Sequence, residues 1–361
     1  MGSIDQQADS KSLKVAAEGF FKIGAALNER QLNGGDEKAL ELVKKHFSAI
    51  VPENCMKSGR IQPIEGEFVW EHADRFVEFG EANGMEINGH TLIWHSQAPR
   101  WFFVDESGNT VSREVMIERM RTHIHTVVGR YKGRIHTWDV VNEAILDDGS
   151  WRKSKFYEII GEDFVKIAFQ LAHEADPEAK LMYNDYSMAQ PGKRAGVVAM
   201  VKKLQEDGVK IDGIGMQGHV GLDYPSLDEF EKSIQAFAGL GLEVMITEMD
   251  ISVLPNPNNH QGAEISDRIE YEKQFNPYTA ALPDSVQQAF TDRSLDFFNL
   301  FLKYKENITR VTFWGVTDGH SWKNNFPVRG RTDYPLLFDR GYQPKPAVHE
   351  IIRLMENSKR N

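Results

Sequence analysis

The sequence predicts an α/β protein folded as a single (β/α)8 TIM barrel with an extended loop after the seventh strand. Short apolar segments with β propensity alternate eight times with longer segments of helical periodicity. The phosphate-binding patterns G-x-G-x-x-G and G-x-x-x-x-G-K-[ST], which usually mark an open doubly wound sheet, do not occur. Polar residues follow the ends of six predicted strands, and a barrel gathers such residues at one face.

Each predicted strand is a short apolar run, and in each predicted helix apolar residues recur every three or four positions. The strands are expected at Phe20–Leu27, Ala49–Glu53, Glu86–Trp94, Ile135–Asn142, Lys180–Asn184, Gly213–Gln217, Leu242–Glu248 and Arg310–Val316. The helices are expected at Glu37–Phe47, Glu67–Ala82, Arg113–Tyr131, Phe156–Ala175, Lys193–Glu206, Leu227–Leu240, Ser285–Tyr304 and Ala347–Glu356. Eight such units favour the closed barrel over a doubly wound open sheet, which is the alternative architecture.

A chain of 361 residues is long enough for two average domains or for one large barrel. No change of composition, Ser/Gly-rich linker or internal repeat marks a boundary. We therefore expect one (β/α)8 barrel domain at 16–361, preceded by a disordered or foreign segment at 1–15. The segment Leu254–Pro283 is rich in proline and is predicted to be a long loop at the C-terminal face of the barrel.

The composition excludes several classes of protein. The 42 Lys and Arg against 53 Asp and Glu give a net charge of −11, and no basic run occurs, so nucleic-acid binding is not expected. No stretch approaches 18 uninterrupted apolar residues, which excludes a membrane-spanning helix. Cys55 is the only cysteine, so neither an intramolecular disulfide nor a thiolate zinc cluster can form.

The first residues carry no recognisable targeting signal. The start Met1–Gln6 lacks the Ser or Thr of a myristoylation motif, and Glu18 and Lys22 interrupt the first apolar stretch, so the pattern of a basic region followed by an apolar region does not occur. A Met-Gly-Ser start followed by polar residues is typical of a chain in which a leader has been replaced. This end of the chain therefore does not define the native compartment.

Two glutamates are the most informative polar residues. Glu143 and Glu248 follow apolar runs at the ends of the fourth and seventh predicted strands, which face one another across an eight-stranded barrel. Burial raises the pKa of a carboxyl group unless the charge is partnered. Two carboxyl groups that converge in a cleft suit glycoside hydrolysis, with one protonated acid and one ionised nucleophile. The alternative is a pair of ordinary salt-bridged glutamates at strand ends.

Two further residues could support Glu248. Asp250 lies two positions later, so in extended backbone both side chains point the same way, and His219 follows the neighbouring strand. A histidine oriented by one carboxylate and bonded to another keeps the second one ionised. The alternative is a histidine with a purely structural role.

A metal site and a cysteine nucleophile are both disfavoured. His90, His95 and His219 could suggest a barrel metallohydrolase, but such enzymes usually carry H-x-H at the end of the first strand, which here reads Gly24–Leu27. No histidine that could act as a base lies near Cys55 in the sequence. A small, buried, unreactive cysteine is also commoner than a catalytic one. We therefore predict no metal and no organic cofactor.

Five segments together resemble the motifs of the glycoside hydrolase family 10 endo-β-1,4-xylanases. They occur in that family's order and span nearly the whole chain from about Phe20. The segments are Glu53-Asn54-x-Met56-Lys57, Gly89-His90-Thr91-Leu92-Ile93-Trp94-His95-Ser96-Gln97, Trp138-Asp139-Val140-Val141-Asn142-Glu143, Gln217-x-His219 and Thr247-Glu248-Met249-Asp250.

The resemblance implies cleavage of the xylan backbone with retention of configuration. It makes Glu143 the general acid/base and Glu248 the nucleophile, with Asn142 bonded to the sugar 2-hydroxyl and His219 and Asp250 supporting the nucleophile. The residues that it implies for substrate binding are Glu53, Asn54, Lys57, His90, Trp94 and Gln97 on the glycone side, Gln217 beside the nucleophile, Trp314 and Trp322 as an aromatic cage, and Tyr186 on the aglycone side.

The resemblance also implies the setting in which the protein acts. The expected partners are xylan and xylo-oligosaccharides, with no nucleic acid and no membrane span. The chain is expected to be a monomer that acts in an extracellular or periplasmic compartment, with the cytoplasm as the alternative.

The sequence differs from the family pattern at two places, and two alternative functions remain open. Cys55 stands where the family commonly has small residues, and Leu254–Pro283 is longer than in compact members, so it could reshape the aglycone side of the cleft. One rival is a related barrel hydrolase acting on glucan or mannan. The other is a non-catalytic polysaccharide-binding protein, which the presence of both Glu143 and Glu248 disfavours.

Overall fold

Parallel strands form the frame of the protein in the computed structural model, which describes residues 11–260 and 262–360. The strands in this part of the chain are β1 (Lys22–Leu27), β2 (Ala49–Pro52), β3 (Glu86–Trp94), β4 (Thr137–Asn142), β5 (Lys180–Asp185), β6 (Gly213–Met216), β7 (His219–Gly221), β8 (Glu243–Ser252) and β9 (Ile308–Phe313). The order β1-β2-β3-β4-β5-β6-β8-β9 closes into a ring because β9 pairs with β1 and β6 pairs with β8. The predicted (β/α)8 barrel is confirmed.

Amphipathic helices surround the ring. The described α-helices are α1 (Leu13–Ala17), α2 (Glu29–Leu32), α3 (Glu37–His46), α4 (Ser58–Ile61), α5 (Glu71–Ala82), α6 (Arg113–Arg130), α7 (Lys155–Ile160), α8 (Asp163–Ala175), α9 (Pro191–Glu206), α10 (Leu227–Ala238), α11 (Asp284–Lys303) and α12 (Pro346–Ser358). Helix α3 shows the pattern: Asp36 caps its first turn, and Ala39 and Val43 are buried while Lys44 and Lys45 are exposed. None of the described helices combines the length and the apolar character needed to cross a membrane.

Several predicted boundaries are wrong for identifiable reasons. One helix was expected over Phe156–Ala175, but Gly161 has a φ of 91°, which interrupts the helix between α7 and α8. Strand β8 does not end at Glu248; it continues to Ser252 because its last part pairs with β7, outside the ring. The four-residue helices α2 and α4 were not predicted, since so short a segment shows no periodicity.

The N-terminal boundary needs a similar correction. Residues 1–10 lie outside the described part of the chain, and 11–15 are not disordered, whereas a foreign origin of the segment 1–15 stays a prediction. The Ser12 hydroxyl accepts a hydrogen bond from the Val15 N–H, which starts α1, and Leu13 is fully buried in the core. The barrel domain therefore includes residues before 16.

The predicted long loop is present after β8, which is the seventh strand of the ring. Among its described residues, Leu254–Pro283 contains 3-10 turns at Pro257–Asn259 and Lys273–Phe275 but no α-helix or named strand. Asp333 anchors the entry to this loop, because its carboxylate accepts hydrogen bonds from the Ser252 hydroxyl at 2.6 Å and from the Val253 N–H at 3.1 Å.

The interior of the barrel near the start of the strands is held by a cross-barrel contact. Arg310 of β9 reaches Glu86 of β3 at 2.9 Å and the Thr137 hydroxyl of β4 at 3.0 Å. Further along β4, the Trp138 indole is fully buried, and a Cβ at Gly89 would lie 2.2 Å from its ring. Only glycine at position 89 therefore lets β3 and β4 approach with this tryptophan in place.

Candidate active site

A cleft opens where the barrel strands end, and it brings together most of the residues predicted from the motifs. Polar and aromatic side chains from six strands or the segments that follow them line it, together with two aliphatic residues of the long loop. The lining residues are Glu53, Asn54, Lys57, His90, Trp94, Gln97, Asn142, Glu143, Gln217, His219, Glu248, Ala263, Ile265, Trp314 and Trp322. Asp250 lies behind the lining, and Tyr186 is not part of it.

Glu143 directly follows β4 and has an unusual main-chain conformation. Its φ of 61° is left-handed, and its N–H donates to the Asn184 carbonyl at 2.9 Å. One carboxyl oxygen, Oε2, accepts a hydrogen bond from the Trp94 indole at 2.7 Å, and Oε1 accepts one from the Gln217 amide at 3.0 Å. Burial raises the pKa of Glu143 to about 7, so this group is largely protonated below neutral pH.

Glu248 is also buried, but its pKa is shifted in the opposite direction from that of Glu143. Its Oε2 accepts a hydrogen bond from the Asn184 amide at 2.7 Å, and its Oε1 lies 3.3 Å from His219 Nε2. Burial alone would raise the pKa of Glu248, but the hydrogen bonds from His219 and Asn184 and the nearby His90 outweigh it and lower this pKa. Glu248 is therefore held ionised.

His219 is itself fixed by a second carboxylate. Its Nδ1 lies 2.9 Å from Asp250 Oδ2, and the same oxygen accepts a hydrogen bond from the Trp322 indole at 2.9 Å. Burial would lower the pKa of His219, but the charge of Asp250 and the hydrogen bonds to Asp250 and Glu248 raise it to about 9. A protonated ring can donate to both carboxylates at once.

Asn184, at the end of β5, joins the two sides of the cleft and was missed by sequence reasoning. Its amide donates to Asn142 Oδ1 at 2.9 Å as well as to Glu248, and its own oxygen accepts a hydrogen bond from the Thr247 hydroxyl at 2.5 Å. The side chain is fully buried. The available signal was its position, since it is a polar residue that directly follows an apolar run in the sequence, as Glu143 and Glu248 are.

The other side of the cleft carries polar side chains beside tryptophans. The Lys57 ammonium donates to Asn54 Oδ1 at 2.9 Å and lies 5.0 Å from the centre of the Trp94 ring. Burial raises the pKa of Glu53 to about 7. His90 packs edge-on against Trp314 with a ring separation of 5.3 Å. Hydrogen-bonding groups beside aromatic faces are suited to sugar rings, which present both hydroxyls and apolar C–H surfaces.

Tyr186 and Cys55 are both covered. Tyr186 is only 5% exposed, with its hydroxyl 2.8 Å from Arg152 Nη2 and its ring 4.1 Å from the Lys193 ammonium. Neither Arg152 nor its partner Glu264 was predicted. Burial raises the pKa of the Cys55 thiol to about 12, as expected of an unreactive buried cysteine. In the described ranges, no group of three or more His, Cys, Asp and Glu side chains is placed to hold a metal ion.

A (β/α)8 barrel with one protonated and one ionised carboxyl group in a sugar-suited cleft defines a glycoside hydrolase. Residues 12–354 match the model for glycosyl hydrolase family 10, and the chain belongs to that family. An endo-1,4-β-xylanase A from Xylanibacter ruminicola is 51% identical over 337 residues, which cover 93% of this chain and 91% of that protein.

Solved structures give the same result. A GH10 endoxylanase retrieved from a sugarcane soil metagenome has a TM-score of 0.93 at 48% identity, covering 95% of this chain and 99% of that one. A xylanase, XynB, from Paenibacillus barcinonensis in complex with a conduramine derivative has a TM-score of 0.86 at 41% identity, covering 94% of this chain and 98% of that one. The family resemblance predicted from the motifs is thus confirmed.

Proposed function

We propose that this chain is an endo-1,4-β-xylanase that hydrolyses internal β-1,4-xylosidic bonds of xylan by a retaining double displacement. The observation that carries the proposal is the pair Glu143 and Glu248, two buried carboxyl groups in one cleft whose pKa values are shifted in opposite directions. The substrate class follows from relatives that are named endo-1,4-β-xylanase and match along nearly the whole chain.

The first displacement uses both carboxyl groups. Glu248 attacks the anomeric carbon while the bond from that carbon to the departing sugar oxygen breaks, and Glu143 donates its proton to this oxygen. The products are a glycosyl ester on Glu248 and a free sugar hydroxyl. In the second displacement Glu143 removes a proton from water, the water oxygen bonds to the anomeric carbon, and the ester bond breaks. Two inversions at one carbon give net retention.

The other cleft residues are proposed to bind the substrate. We assign Asn142 to the sugar 2-hydroxyl on the family resemblance, and its Oδ1 accepts hydrogen bonds from the Asn184 amide at 2.9 Å and the Gln217 amide at 3.4 Å. We assign His219 and Asp250 to the support of Glu248. Glycone sugars would be bound by Glu53, Asn54, Lys57, His90, Trp94 and Gln97, with Gln217 beside the nucleophile and with Trp314 and Trp322 as the aromatic cage.

The proposed activity is tested by comparing initial rates of reducing-end release from xylan and from carboxymethylcellulose. Xylan should be hydrolysed much faster, and proton NMR of the first products should show the β anomer before mutarotation yields the α anomer. Faster release from carboxymethylcellulose would indicate a glucanase. Binding of xylan without reducing-end release would indicate a non-catalytic binding protein, and an initial α product would exclude retention.

The pH dependence of kcat/KM on xylan is expected to be bell-shaped. Glu248 must be ionised to attack, and its pKa is lowered from about 4.5, so the acid limb should lie below that pH. Glu143 must be protonated to act as the acid, and its pKa is raised to about 7, so activity should fall as pH rises through about 7.

Glu53→Gln is the control variant for that profile, because the pKa of Glu53 is also raised to about 7. If the alkaline limb reports Glu143, it should persist in Glu53→Gln even where the overall rate is lower. Disappearance of the limb in this variant would assign it to Glu53 instead.

We further propose that the enzyme acts outside the cytoplasm, since a polymer such as xylan does not cross membranes. We also propose that it is a monomer with xylan and xylo-oligosaccharides as its partners and that no cofactor takes part. Size-exclusion chromatography coupled to light scattering tests the oligomeric state, and elution at twice the mass of the chain would exclude the monomer.

A further inference from the structure

Arg152 connects the main chain of the proposed proton donor, Glu143, to Glu264 of the long loop and to Tyr186, which follows β5. Its guanidinium donates from Nε to the Glu143 carbonyl at 2.8 Å, from Nη1 to Glu264 Oε2 at 2.6 Å and from Nη2 to the Tyr186 hydroxyl at 2.8 Å. The side chain is only 14% exposed. A guanidinium is rigid and planar, so three hydrogen bonds from one group fix the relative positions of their acceptors.

The peptide bond that follows Glu143 is held at both ends. Its carbonyl accepts from Arg152, and its N–H, which belongs to Ala144, donates to the Tyr183 hydroxyl at 2.9 Å. The main chain of Glu143 has a left-handed conformation, with a φ of 61°, which is uncommon for residues other than glycine. Fixing this peptide plane therefore holds Glu143 in a main-chain conformation that it would not favour by itself.

Glu264 brings the long loop into the same network. Its neighbours Ala263 and Ile265 both line the cleft, and its carboxylate also accepts hydrogen bonds from the Ser266 N–H at 3.2 Å and hydroxyl at 3.1 Å. Arg152 thus bonds at once to the main chain of Glu143 and to the loop segment that forms one wall of the cleft.

We propose that Arg152 is a positioning residue for proton donation, which keeps Glu143 and the Ala263–Ile265 wall in one fixed arrangement through Glu264. The inference rests on the proposed function, in which Glu143 is the acid. Proton transfer requires the two heavy atoms to lie about 2.6–3.2 Å apart, and a displacement of about 1 Å can cost 100-fold in rate. Arg152 touches no reacting atom in this scheme.

The test compares two substrates that differ in their need for an acid. Xylan has a sugar leaving group that must be protonated, whereas 2,4-dinitrophenyl β-xylobioside releases a phenolate that needs no proton. For Arg152→Met we expect kcat/KM on xylan to fall by about 10- to 100-fold and kcat/KM on the aryl substrate by less than about 3-fold. Glu264→Gln, which keeps the shape of the side chain, should show the same pattern with a smaller loss of about 3- to 10-fold on xylan.

Arg194→Met is the matched control, because the Arg194 side chain is 16% exposed and its guanidinium also donates several hydrogen bonds, to Ser233, Ala189 and Glu229. None of these three partners is among the described residues that line the cleft. This variant should lower the melting temperature without changing the ratio of the two rates. Equal losses on both substrates for Arg152→Met, or unchanged rates on both for Glu264→Gln, would overturn the proposal.

Glu143→Ala, measured in parallel, separates this inference from the proposed function. If Glu143→Ala loses activity selectively on xylan and Arg152→Met does not, only the positioning role is wrong. If Glu143→Ala itself loses activity equally on both substrates, the assignment of the acid is wrong. Arg152→Lys, which keeps the charge but cannot make the three bonds, should resemble Arg152→Met in its substrate pattern.

Discussion

Replacing Glu248 with alanine is expected to lower kcat on xylan by on the order of 10⁴-fold or more, because no other group can form the glycosyl ester. The barrel should still fold. The main-chain hydrogen bond from Glu248 N–H to the Gln217 carbonyl remains, and His219 keeps its partner Asp250. Reducing-end assays on xylan measure the loss, and circular dichroism checks the fold.

Azide provides a sharper test of this variant. A small anion can enter the space left by the carboxylate and attack the anomeric carbon directly, which gives a single inversion. Glu248→Ala with azide and an activated aryl β-xyloside should therefore form the α-glycosyl azide. Glu243→Ala is the matched control, since Glu243 begins the same strand at the opposite end and should leave turnover unchanged. Full activity of Glu248→Ala on xylan would place the nucleophile elsewhere.

Replacing Glu143 with alanine is expected to lower kcat/KM on xylan by about 10²- to 10⁴-fold, the usual contribution of a general acid. The same variant should retain most of its kcat/KM on 2,4-dinitrophenyl β-xylobioside, whose leaving group departs without a proton. Its second step should be slow, because no base activates water, so the glycosyl-enzyme should accumulate and show an initial burst of dinitrophenolate.

Azide distinguishes the two carboxyl groups by stereochemistry. In Glu143→Ala it should attack the accumulated glycosyl-enzyme from the face that water normally uses, and two inversions then yield the β-glycosyl azide. Formation of the α product by this variant would contradict the assignment of the acid and the nucleophile. The two variants together thus test both roles with one reagent.

The barrel and the two carboxyl groups were predictable because each leaves a local signal in the sequence. A strand buried on both faces is a continuous apolar run, and Glu143 and Glu248 interrupt or end such runs with a charge that burial disfavours. The family motifs then supplied the order of the site residues. The break at Gly161 and the extension of β8 were not predictable in this way, since β8 continues only because β7 pairs with it.

The network around Arg152 had no local signal. Its contact with Glu264 joins positions separated by 112 residues, and the long loop offers no periodicity from which its course could be read. Tyr186 illustrates the consequence: the family resemblance implies that it binds substrate on the aglycone side, but its hydroxyl is bonded to Arg152 and the residue is only 5% exposed. Its role on the aglycone side stays a prediction.

The cross-barrel contact of Arg310 with Glu86 and Thr137 has an evolutionary consequence. It links β9 to β3 and β4 at the end of the barrel opposite the cleft, and Arg310, Glu86 and Thr137 are not among the described residues that line the cleft. Mutations in the loops around the cleft can therefore alter the preferred polysaccharide without loosening this contact. Because the stabilising contact and the cleft lie at opposite ends of the barrel, the fold tolerates partly destabilising substitutions in the cleft loops, from which new specificities arise.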